Sequence, residues 1–274
     1  MQEGIIINSD EFKNDLKVFL DVLGLEEEPM GLYFTNKKPV KGFYPKRQTA
    51  ADQQTSSSSE ISWISCVLSK VRRARMEKSA AYFDNEHYGC LGGAFFMGFK
   101  KSYEEFEPFL LSTGIPGNLE GERYVKTPEV GQRFYETFDP PPASGKYLVI
   151  QPLSCFKKNE RPELVVFFAT NEIISGLHGL TVFLTSEIEA VQTPFGVGCC
   201  TLVSWPRKLL LKGEKKAIIG GFDATCRKYL RKDEVSFTIS FELFLEMLDE
   251  WQESVLGTEY WSHVVKKIKK GKSA

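Results

Sequence analysis

Val165-Val166-Phe167-Phe168-Ala169 is an unbroken apolar run of strand-forming residues. β-branched and aromatic side chains on both faces of one strand need cover on both sides. Leu164–Ala169 is therefore expected to be a buried strand, and Lys146–Gln151 is a second one, separated from it by a charged turn. A buried sheet at the centre of the molecule follows from these two segments.

Helical patterns interleave with further strands. In residues 9–23, Phe12, Leu16, Phe19, Leu20 and Leu23 follow helical spacing, with Ser9 or Asp10 to cap the start and Gly24 to end it. Residues 29–36 predict a strand. Residues 61–76 predict a helix with Ile61, Ile64, Val67, Leu68 and Val71 on one face. Its last turns carry Arg72, Arg73 and Arg75, where the negative end of the helix dipole favours them. Residues 80–83, 190–193, 216–219 and 235–239 predict strands. Residues 127–138 and 199–211 predict helices, the second bent at Pro206, residues 172–184 are helical or mixed, and Phe241, Phe244, Leu245, Leu248 and Trp251 mark another helix, capped by Ser240.

This alternation predicts an α/β or α+β fold with a mixed sheet covered by helices. A single domain over residues 1–261 is expected, with two halves, 25–139 and 146–256, that share one core. Pro140-Pro141-Pro142 marks the boundary between them. Residues 37–60 keep no periodicity and are expected to form a long loop, a lid or a disordered segment. Residues 262–274 are expected to be a solvated basic tail.

The two halves echo each other. Gly31-Leu32-Tyr33-Phe34, a helix from Ile64, Ala80–Phe83 and Gly89-Cys90 form one series. Val165–Asn171, a helix from Ile173, Ala190–Thr193 and Gly198-Cys199 form the other. Two pseudo-repeated strand-helix-strand-helix units, each delivering a glycine and a cysteine, would account for the echo.

With 35 basic and 36 acidic residues the net charge is −1, which points away from nucleic acid as a partner. Ile5-Ile6-Ile7 is too short for a signal sequence and no run is long enough to span a bilayer, so a cytoplasmic location and no membrane partner are expected. Six cysteines then suggest thiols, ligands or core fillers more than disulfides.

No phosphate loop, dinucleotide fingerprint, zinc-protease motif or nucleophile elbow is present. Cysteines at helix starts carry the most chemistry, because helix N-termini stabilise thiolates. Cys90 and Cys199 occupy such positions, and Cys66 can approach either. Together these three are candidate ligands for a metal or an iron–sulfur cluster, or they simply pack in the core. Asp84, Glu86 and His87 stand just before Cys90. They make either an acid–base set, with His87 as a catalytic candidate, or a polar turn capped by Asp84 or Asn85. Asp223 and Arg227 follow Gly220-Gly221-Phe222 and either pair with each other or bind an anionic group. Gly92, Gly93, Gly196 and Gly198 would let a small-molecule ligand approach the backbone closely.

Several longer signatures occur together. They include Pro29-Met30-Gly31-Leu32-Tyr33-Phe34, His87-Tyr88-Gly89-Cys90-Leu91-Gly92-Gly93-Ala94 and Phe195-Gly196-Val197-Gly198-Cys199. Trp205-Pro206, Gly221-Phe222-Asp223 with Arg227, and Asp233-Glu234-Val235-Ser236-Phe237 complete the set. From about Val22 to Leu256 the chain resembles an uncharacterised prokaryotic family, domain of unknown function 169. The resemblance implies no activity. It singles out Cys90 and Cys199, with Cys66 beside them, and marks Cys200 and Cys226 as local variations where small residues are usual. Ser240 stands where the family would place proline.

The resulting expectation is an enzyme or redox protein with a cysteine-lined pocket between the two units. The alternative is a non-catalytic module that binds a small molecule or nucleotide at the same glycine turns.

Overall fold

A computed structural model describes residue 7, residues 9–45 and residues 66–271. Ile61, Ile64 and most of the 37–60 loop lie outside these. The elements in chain order are α1 (Asp10–Leu23), β1 (Met30–Thr35), α2 (Val67–Met76), β2 (Ala81–Phe83), α3 (Leu91–Phe96), α4 (Glu107–Leu111), β3 (Gly114–Ile115), β4 (Leu119–Glu120), α5 (Pro128–Phe138) and β5 (Tyr147–Pro152). There follow β6 (Leu164–Thr170), α6 (Asn171–Thr185), β7 (Val191–Gln192), a π-helical turn (Cys200–Ser204), α7 (Trp205–Leu211), β8 (Ala217–Gly220), α8 (Ala224–Arg227), β9 (Glu234–Ser240), α9 (Phe241–Glu250) and α10 (Glu259–Gly271).

Seven strands form one mixed sheet in the order β2-β5-β1-β6-β9-β8-β7. Every pairing is antiparallel except β7 with β8. The apolar run that opens β6 lies near the middle, where Met30 of β1 faces Val166 and Phe237 of β9 faces Phe167. The β1–β6 pairing joins the two halves of the chain in one sheet, so they form a single α+β domain.

Alternation along β6 divides the core. Leu164, Val166 and Phe168 face a cluster roofed by α2, α3, α5 and the Cys199–Val203 segment. Val165, Phe167 and Ala169 face the opposite cluster, under α1, α6, α9 and Trp261 of α10. Strand β9 alternates strictly: Val235, Phe237 and Ile239 join the second cluster, while Glu234, Ser236 and Thr238 face the other way. Side chains two apart on a strand share a face, so this pattern fixes the register of β9 against β6.

The expected repeat does not extend to the backbone. The helix after β1, α2, covers one face of the sheet, and the helix after β6, α6, covers the other. Gly89 has a left-handed φ of 84° and Cys90 is an extended N-cap, whereas Cys199 is already helical at φ −68°, ψ −29°. The Gly-Cys echo is a likeness of sequence at two different local structures.

Three further expectations are revised. The basic segment beyond 261 continues as α10 through Gly271, anchored by buried Trp261, whose indole N–H donates to the Val22 carbonyl at 2.7 Å. The irregularity in the 199–211 helix is a π-turn that runs directly into α7, and Pro206, which has no N–H to donate to the preceding turn, stands at the junction. The triple-proline boundary is pinned: buried Arg207 donates to the carbonyls of Pro141 and Pro142 and pairs with Glu163 at 3.1 Å. Among the described residues, no helix is long and apolar enough to cross a membrane.

Candidate functional site: a thiol and carboxylate cluster

Asp223 anchors the site. It is the N-cap of α8, and its Oδ1 accepts from the Thr225 N–H at 2.9 Å and the Thr225 hydroxyl at 2.7 Å. The same oxygen accepts from the Tyr124 hydroxyl at 2.6 Å. Its Oδ2 accepts from the Gly198 N–H at 3.2 Å and from the Cys226 thiol at 3.0 Å. Only 5% of Asp223 is exposed, so these donors replace water almost completely. They come from three separate stretches of chain, and Asp223 ties α8 to the Gly198 turn and to Tyr124.

Cys226 is buried, and its sulfur lies 3.5 Å from that of Cys66. Cys66 is the N-cap residue of α2 and is partly exposed. The single hydrogen on Cys226 points to Asp223, so the hydrogen in the sulfur–sulfur contact belongs to Cys66. The groups form a chain from the Cys66 thiol through the Cys226 thiol to the Asp223 carboxylate. The Cys66 contact, burial and Asp223 all push the Cys226 thiol far above the ordinary thiol range.

Cys199 belongs to the same core cluster, and Cys90 lies near enough to act on it electrostatically. Helix-start thiolates were expected there, and burial overrides that effect. It pushes Cys90 up to about 12 even though the Gly93 N–H pulls the other way. Burial, followed by the neighbouring Cys90, raises Cys199 well above its ordinary value. Both are thiols at neutral pH. Two carboxyls stand near Cys90, buried Glu107 and partly buried Glu122: each is raised to about 7 by burial, Glu122 further by Asp223.

The glycine turns serve these sulfurs. A Cβ on Gly198 would sit 2.8 Å from the Cys226 sulfur and 2.8 Å from Leu68 Cδ1. One on Gly196 would sit 2.8 Å from the Cys200 sulfur, and one on Gly93 would meet the Tyr88 carbonyl at 2.8 Å and the Cys90 sulfur at 3.4 Å. Gly92 faces Glu107 Oε2 at 3.6 Å. At all four positions the close approach is to the protein's own atoms.

The other candidates stand apart. Asp84 Oδ1 accepts from the Glu86 and His87 N–H groups, both at 2.8 Å, and the His87 ring returns to Asp84 at 2.9 Å. These bonds make the polar turn, and the His87 ring also packs edge-on against Tyr44. Arg227 makes no ion pair with Asp223. Its guanidinium donates to the carbonyls of Gly221, Glu234, Arg231 and Lys232, closing the loop before β9. Cys155 donates to the Lys78 carbonyl at 3.5 Å. Among the described residues, no group of three or more His, Cys, Asp or Glu is placed to hold a metal ion.

Cys226 and Tyr124 were missed as site residues. Cys226 lies three residues after the capping Asp223, one helical turn on, and that spacing was the available signal. Tyr124 arrives from 99 residues away and carries no local signal.

The family model for domain of unknown function 169, described as "Uncharacterised ArCR", matches residues 18–250. The chain belongs to this family. No curated protein and no solved structure matches it. The family description assigns no activity, so a functional reading rests on the cluster itself.

Proposed function

We propose that this family member is a thiol–disulfide redox protein whose working pair is Cys66 and Cys226. The observation that carries the reading is the 3.5 Å separation of their sulfurs beside the Asp223 carboxylate. A disulfide needs the sulfurs at about 2.05 Å, so an approach of this size falls within side-chain rotation and a small backbone adjustment.

The chemistry follows from exposure and hydrogen bonding. Cys66 is the outer thiol, at the positive end of α2, and attacks a sulfur of an incoming disulfide. The incoming S–S bond breaks, one thiolate leaves and takes up a proton, and Cys66 holds a mixed disulfide. Cys226 then attacks the Cys66 sulfur. Its hydrogen passes to Asp223 Oδ2, which already accepts it, the Cys66–substrate bond breaks, and the second thiolate leaves and takes up that proton, restoring the carboxylate. Two thiols are oxidised and one disulfide is reduced to two thiols. In a reducing compartment the dithiol is the resting form.

Equilibration in glutathione redox buffers tests this. The account expects two thiols per chain to titrate together at one midpoint potential, and both to vanish from that titration in Cys66→Ser and in Cys226→Ser. Thiols that titrate unchanged in both variants would overturn it.

A further inference from the structure

A cleft of about 730 Å³ lies between the end of β1 and the connection from β5 to β6. It shares no residue with the thiol site. Lys37, Lys38, Lys157, Lys158 and Arg161 line it against a single carboxylate, Glu160. Such a concentration is out of proportion to a chain of net charge −1. Glu160 is committed elsewhere: it accepts from the Lys157 N–H at 3.1 Å and the Gln151 amide at 3.4 Å. Arg161 pairs with Glu242 at 3.1 Å. The four lysines have no carboxylate partner among the described residues.

Like charges gathered at a concave surface repel one another, and the low-dielectric wall focuses their field into the cleft. An anion seated there relieves that repulsion. Its type follows from the donors. Ammonium groups are compact point charges that suit tetrahedral phosphates, whereas planar carboxylates are matched best by free arginine forks, and the one arginine here is already paired. Pro39 and exposed Val40 add an apolar wall beside the lysines, which suits an organic group attached to the phosphates. The volume falls within the range of small-molecule sites, roughly 300–1,000 Å³.

We infer that this cleft is a binding site for a small polyphosphate-bearing molecule, held by Lys37, Lys38, Lys157 and Lys158.

Isothermal titration with inorganic tripolyphosphate tests the inference on the full chain. Tripolyphosphate is expected to bind at low salt and to weaken as salt rises, because the contacts are exposed. The double variant Lys38→Glu/Lys157→Glu is expected to lose roughly tenfold or more in affinity, since it reverses two of the four charges. Lys101→Glu/Lys126→Glu, at two exposed lysines outside this cleft, is expected to bind like the parent. All four side chains are exposed, so unchanged thermal unfolding confirms intact folds. Equal weakening in both double variants, absence of binding, or citrate binding as tightly as tripolyphosphate would overturn the inference. So would a single-stranded RNA that outcompetes tripolyphosphate at the same lysines.

Discussion

The sulfurs of Cys66 and Cys226 lie 3.5 Å apart although 160 residues separate them in the chain. Cys66 starts the helix that follows β1, and Cys226 sits on the short helix between β8 and β9. Asp223 accepts the hydrogen of the second thiol at 3.0 Å, so the two sulfurs and the carboxylate form one hydrogen-bonded chain.

Asp223→Asn separates the two roles of this carboxylate. Five donors lose their charged acceptor, and a cost of about 1–3 kcal/mol is expected in urea unfolding. The negative charge is among the causes that raise the Cys226 thiol, so its removal lowers that pKa. Alkylation rates followed against pH check this: Cys226 becomes reactive at lower pH than in the parent, once local opening is corrected for by hydrogen exchange.

Gly198→Ala tests the packing at the turn. The added methyl meets the Cys226 sulfur and Leu68, and overpacking of this kind costs about 1–3 kcal/mol. Denaturant unfolding should show the loss. Gly213→Ala is a useful contrast. Its added Cβ meets nothing within 4 Å, and any penalty there comes from its positive φ of 71° alone.

Glu107 and Glu122 predict an acid-favouring stability profile. Both have folded pKa values near 7 against an ordinary 4.5, so the native state holds their protons more tightly than the unfolded chain. Stability from these groups is complete below about 4.5 and is lost as pH rises through about 7. Urea midpoints should therefore fall from about pH 4.5 to about pH 8, across that window. Glu107→Gln should flatten the slope.

Arg75 is the structural counterpart of the thiol site. Its guanidinium, 6% exposed, pairs with Glu27 and with Glu234, and it lies over the Phe168 ring at 4.0 Å. Arg75→Ala leaves buried Glu234 with only the Arg231 N–H as a donor, while Glu27 keeps its pair with Arg231, and should cost about 3–5 kcal/mol, read as a drop in denaturant midpoint. Thiol exchange in the folded fraction should be unaffected.

The sheet was legible in the sequence because its strands carry periodic signals. β6 is apolar on both faces and β9 alternates, so their burial is written in the order of residues. Caps were equally plain: Ser9 and Ser240 each accept an N–H from the third residue on, as their positions suggested. The short α4 and the β3–β4 hairpin carry too few residues for a period to emerge, and they were missed.

The site was only half legible. The cysteines and Asp223 were singled out, but their partners were not. Asp223 and Arg227 are four residues apart and looked like an ion pair; the fold instead gives Asp223 to Gly198, Tyr124 and Cys226, and Arg227 to four carbonyls. Helix-start position suggested acidic thiols at Cys90 and Cys199, while burial, which local sequence does not encode, makes them weakly acidic. Contacts that span 99 or 160 residues exist only once the sheet is assembled.

Peptide mapping of the full chain after mild oxidation with glutathione disulfide, without reduction, tests the central claim most directly. The account predicts one cross-linked peptide joining Cys66 to Cys226, with Cys90, Cys199 and Cys200 recovered as free thiols. A cross-link between any other pair, or glutathione carried stably on Cys66 with Cys226 still free, would contradict it.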